Sequence, residues 1–126
     1  MNKKNNKMKK LLLILLCVSF FYSCKRNKNQ IKKTKPNTIS TSSIDFIPKE
    51  FICNLGDTIY FDLGPTHNLI EVSKENFLDN NPEPINNGFE MGFGKTSFFV
   101  PEKAKTYYFV CPIHLPQMKL TIKVSQ

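Results

Sequence analysis

The spacing of hydrophobic positions divides this chain into three parts. Residues 11–22 form an unbroken apolar run, LLLILLCVSFFY, behind a lysine-rich start. Residues 25–43, KRNKNQIKKTKPNTISTSS, hold almost no apolar side chains. From Ile44 onward, short segments alternate apolar and polar residues, the period of half-buried strands. In FICNLGDTIYFDL, Phe51, Cys53 and Leu55 alternate, Gly56-Asp57 marks a turn, and Ile59, Phe61 and Leu63 alternate again. That pattern predicts a hairpin. HNLIEVS predicts another strand, and KENFLDNNPEP has room for one helical turn before its Asn/Pro loop. Phe89, Met91 and Phe93 alternate ahead of Gly94, and KTYYFVC and MKLTIKV supply two further strands. Seven or eight short strands without a long helix predict an all-β, antiparallel Greek-key sandwich or barrel over residues 44–126.

Composition agrees with one small domain: 126 residues, 40% hydrophobic, with 11 Phe to fill a core. Charge changes the picture more. The formal net charge is +8. Residues 1–23 carry five lysines and no acid, and residues 25–36 carry Lys25, Arg26, Lys28, Lys32, Lys33 and Lys35, again with no acid. In residues 37–126, seven lysines face ten acidic residues, a net −3. The basic charge belongs to the start of the chain and not to a folded face, which argues against a nucleic-acid-binding domain.

The apolar run is shorter than the about 20 residues a membrane-spanning helix needs. A basic start and a short apolar run predict an export signal over residues 1–23. Ser23-Cys24 at its end resembles a bacterial lipoprotein signal, which implies cleavage before Cys24 and acylation of its thiol. FYS stands before Cys24 where that family more usually has Leu and a small residue. Residues 24–43 are then expected to be a disordered basic tether. The expected location is the bacterial cell envelope, periplasm-facing and lipid-anchored to the membrane.

The chemistry concentrates near the end of the chain. Cys111, His114 and Met118 form C-x2-H-x3-M between two expected strands. A thiolate, an imidazole and a soft thioether suit copper, and a second His in the plane completes a blue-copper set. His67 is the only other histidine. Zinc accepts Cys and His, but Met is a poor ligand for it. Covalent haem needs C-x-x-C-H, which is absent. A Cys/His nucleophile pair lacks an evident orienting residue. A Cys53–Cys111 disulfide is conceivable in an oxidising compartment, but it leaves His114 and Met118 unexplained. Cys53 and Met91, each alternating with large apolar residues, read as core.

GDTIYF, THNLIEV and YYFVCPIHLPQMKLTIKV, in that order, resemble the cupredoxins, the small blue copper proteins. The resemblance covers about residues 44–126. It implies one type 1 copper held by His67, Cys111, His114 and Met118, with Asn68 bracing the ligand loop and the Cys111 sulfur. Leu120 stands where many cupredoxins have Gly. The implied function is single-electron transfer between redox partners, such as a cytochrome or a terminal reductase or oxidase, by a monomer that is not an enzyme. The alternative on the same fold is copper delivery or storage. Tyr107, four residues before Cys111, resembles the tyrosine corner of Greek-key sandwiches. Pro112 and Pro116 are expected to stiffen the loop, and the apolar neighbours of His114 to offer a docking patch.

Overall fold

The computed structural model describes residues 36–126. Nine strands are found among them: β1 (Thr38–Thr41), β2 (Phe46–Ile47), β3 (Glu50–Asn54), β4 (Ile59–Asp62), β5 (Leu69–Val72), β6 (Glu90–Met91), β7 (Thr96–Phe99), β8 (Thr106–Val110) and β9 (Lys119–Ser125). One short helix, α1 (Lys74–Asp79), and a 3-10 turn, Pro112–His114, complete the list of elements. The strands form two sheets, ordered β2-β1-β4-β7 and β3-β9-β8-β5-β6. The fold is the expected all-β sandwich and not a closed barrel. The sheets are not antiparallel as expected: both are mixed, because β1 pairs with β4 and β3 with β9 in parallel, pairings between segments far apart in sequence that no alternation within one segment can reveal.

Period-two sequence builds the core directly. In β4, Ile59 and Phe61 point inward while Tyr60 and Asp62 point out. In β9, Leu120, Ile122 and Val124 are buried and alternate with more exposed polar residues. Opposite them, β8 contributes Tyr107 and Phe109. Phe61, Phe89, Phe99, Tyr107 and Phe109 then meet in a ring cluster with centroids 5.0–6.3 Å apart. Such edge and tilted contacts add to the area burial of each ring.

Two further sequence expectations are corrected. The hairpin expected over residues 51–63 does not form: β3 pairs with β9 and β4 with β1 and β7, so the turn carries the chain from one sheet to the other. Gly56 adopts φ +84° there, a left-handed conformation that favours glycine. The Leu55 N–H donates to Ser125 O and the Gly56 N–H to Pro101 O, so the backbone is satisfied across the crossing. Leu55, expected inside, is 45% exposed on this turn. The second correction is where the domain starts. Residues 38–41, expected to be tether, form β1, and Ile39, beside Phe61 of β4, is fully buried in the core. The export signal, Cys24 and the rest of the tether to residue 35 lie outside the described residues. No helix among the described residues is long and apolar enough to cross a membrane.

Several expectations hold. The helical turn in KENFLDNN is α1, capped by the Ser73 hydroxyl accepting from the Asn76 N–H, with Asn80 left-handed at its C-terminal end. Met91 is buried in the core. The Tyr107 hydroxyl accepts from the Lys103 N–H at 3.1 Å and donates to the Lys103 carbonyl at 3.2 Å, a tyrosine corner.

Candidate metal centre

Two loops meet at one end of the sandwich. β4 runs into residues 63–68, and β8 runs into residues 111–118. β5 starts where β8 ends, since Ile70 stands opposite Val110. His67, just ahead of β5, is thereby brought beside Cys111, just past β8.

The second loop is a closed unit. The Cys111 N–H donates to Met118 O at 3.1 Å, the His114 N–H to Cys111 O at 3.1 Å, and the Met118 N–H to His114 O at 3.0 Å. Pro112 opens the 3-10 turn, where its fixed φ is compatible and its missing N–H costs nothing. The other loop is anchored by the Thr41 hydroxyl, which donates to Leu63 O at 2.9 Å.

The side chains converge. His67 Nδ1 lies 3.2 Å from His114 Nδ1, and Cys111 Sγ lies 3.6 Å from the same nitrogen. One donor atom from each of the three residues lies within 4.8 Å of the others. His67 and Cys111 are buried and His114 is half-buried. Met118 is fully buried at the end of the loop, with its backbone fixed as above. Cys111 Sγ donates to Asn68 Oδ1 at 3.3 Å, so the residue after His67 touches the sulfur.

This arrangement fits a first-row metal ion. Two imidazole nitrogens, each about 2.0–2.1 Å from one ion and about 100° apart, stand about 3.2 Å from each other. A thiolate sulfur at about 2.3 Å and a nitrogen about 110° from it stand about 3.6 Å apart. Both separations are those observed. The donor types favour copper over zinc: two imidazoles, one from each loop, and a thiolate and a thioether from residues 111–118.

Cys53 is a separate matter. It is free, as is Cys111. Cys53 pairs with Val124, while the residue after Met118 pairs with Val110, so the two thiols lie at opposite ends of the sandwich and cannot join. Burial, and secondarily the Asp57 carboxylate, push the Cys53 thiol pKa up from its ordinary value. Leu120, in the place of the family's Gly, stands opposite Phe109 and is fully buried in the core. The sequence contained no cue for Thr41 as an anchor of the His67 loop, because the two meet only through the parallel pairing of β1 and β4.

No family model matches the sequence, and no curated relative matches it. Solved structures do match the fold. A pseudoazurin from Sinorhizobium is 16% identical, with 71% of this chain and 72% of that chain covered at a TM-score of 0.56. A purple cupredoxin from Nitrosopumilus maritimus is 18% identical, covering 70% of this chain and 98% of its own, at 0.51. A copper-containing nitrite reductase from Thermus scotoductus is 21% identical over 75% of this chain but only 23% of its own, at 0.52. Identities this low speak for architecture alone, and on that ground the chain has the cupredoxin fold.

Proposed function

We propose that this chain is a type 1 copper electron carrier, exported and lipid-anchored in a bacterial cell envelope, passing single electrons between redox proteins such as a cytochrome and a terminal reductase or oxidase. The convergence of His67, Cys111 and His114 donor atoms within 4.8 Å carries the reading. His67, Cys111, His114 and Met118 would hold one copper ion, which supplies a one-electron couple when bound.

The chain's own residues do the rest. The Cys111 thiol would have to give up its proton to hold the ion, because the thiolate is the ligating form. Asn68, whose Oδ1 accepts that proton here, stands beside the sulfur, where a polar contact would tune its electron density once the ion is bound. The hydrogen bonds closing residues 111–118 would hold the ligand positions fixed between oxidation states of a bound copper, lowering the reorganisation each transfer requires. His114 is half-buried beside Ile113, 58% exposed, so an imidazole edge sits within an apolar surface. That surface suits a small, short-lived docking contact.

The reading is a carrier and not an enzyme. A copper enzyme on this fold needs a second metal site, and both histidines of the chain are already used. Adding copper(II) to the purified protein is expected to produce an intense blue charge-transfer band, absent in Cys111→Ser. A colourless or merely pale product sinks the reading. Fast reversible exchange with a cytochrome separates a carrier from a copper-delivery protein, which instead hands copper(I) to an apoprotein without redox cycling.

A further inference from the structure

Strand direction fixes which end of the domain receives the incoming chain. β1 is parallel to β4, with Thr38 beside Tyr60 and Ser40 beside Asp62. The carbonyl of Asn37 accepts from the Tyr60 N–H at 2.8 Å, at the start of β4. The end of β1 instead reaches Leu63, ahead of the His67 loop. The chain therefore enters the described domain at the end opposite the ligand loops. Leu55 marks the same far end, since its N–H donates to Ser125 O at the close of β9. The seven residues of β9 separate that end from Met118, a span of about 23 Å at about 3.3 Å per residue.

The ligand-loop end is almost uncharged. In residues 63–68, 92–95 and 111–118, Lys95 is the only charged side chain. Ile113 and Phe93, on those loops, are 58% and 49% exposed. The chain arriving at the other end carries six basic residues between Cys24 and Pro36, and Lys35 directly precedes Pro36. Twelve residues reach at most about 43 Å, so length alone does not orient the domain. On an acylated Cys24, those six cations would be attracted to anionic headgroups.

From these observations, and resting on Cys24 as the acylated residue, we propose that the anchored protein stands with its Leu55 end against the headgroups and its ligand loops facing the aqueous phase. The apolar loop surface then serves a redox protein approaching from solution. It is not a membrane-seated face, although its composition alone would allow one.

The chain contains no Trp, so single reporters are clean. The full acylated chain is placed on vesicles of mixed zwitterionic and anionic lipid carrying a headgroup spin label, as I113W or as L55W. Loss of L55W fluorescence with I113W retained is the expected result, and the contrast should shrink on purely zwitterionic vesicles. Quenching of I113W equal to or above that of L55W overturns the orientation, as does no quenching of either. The mass of the N-terminal peptide separates the two layers. An unacylated Cys24 overturns the proposal through its anchor, whereas an acylated chain with I113W quenched overturns the orientation alone.

Discussion

Cys53 and Cys111 carry the same thiol and meet opposite fates. Cys111 follows β8 and lies beside two imidazoles and Asn68. Cys53 faces the core at the other end, 6% exposed, where loss of solvation and the Asp57 carboxylate keep it protonated. Its folded-state pKa is raised above that of the unfolded chain. Below the ordinary value of 9.0 both states hold the proton and stability is unaffected. As pH rises beyond it, the unfolded chain releases the proton first, so stability falls. The urea-unfolding free energy of the native protein relative to Cys53→Ala should decline above about pH 9 and be flat below it. A difference independent of pH across that window refutes the shift. Sequence alternation already placed Cys53 inside, but the asymmetry between the thiols needed the fold, because only strand pairing puts one at each end.

At the scale of elements, β1 is the informative case. TIST has one large apolar residue in four, too little pattern to separate a strand from a polar linker. Ile39 is nonetheless fully buried, and Thr41 ties the strand to the His67 loop. Ile39→Ala is expected to destabilise the domain by about 2–5 kcal/mol in urea unfolding. A linker residue would change stability by about 0.5 kcal/mol or less, and that result would return residues 38–41 to the tether. The failed hairpin has a related cause. Two alternating segments around Gly56 are equally compatible with a hairpin and with a crossing between sheets. The choice depends on partners far along the chain: β9 for one arm, β1 and β7 for the other. β9 was legible because it is long and strictly alternating, and β8 because its aromatic run leads into a loop whose residues identify themselves chemically.

For the molecule as a whole, the ligand set couples metal binding to folding. His67 and Cys111 stand 44 positions apart, so the unfolded chain holds no preformed site. Binding to the folded state alone at a free copper concentration of 100 Kd stabilises by about 2.7 kcal/mol. For a domain of this size each kcal/mol moves the midpoint by about 4–8 °C. Copper loading should therefore raise the thermal midpoint by about 10–20 °C, with a much smaller rise in His67→Ala. Equal midpoints for the loaded and metal-free native protein would show that the four residues do not act as one site.

What the sequence determined by itself was the local chemistry and the burial face. Period two decided which side chains point inward, and C-x2-H-x3-M placed three ligand types on one loop. Those features depend on neighbours within ten residues. Only the tertiary structure decided which strands pair, where the domain begins, that Thr41 anchors the His67 loop, and that the chain enters opposite the ligand loops. Apart from the local β1–β2 and β8–β9 pairings, these depend on contacts between residues 20 or more positions apart, whose cost in chain entropy is repaid by burial of the whole core and leaves no mark in any single segment.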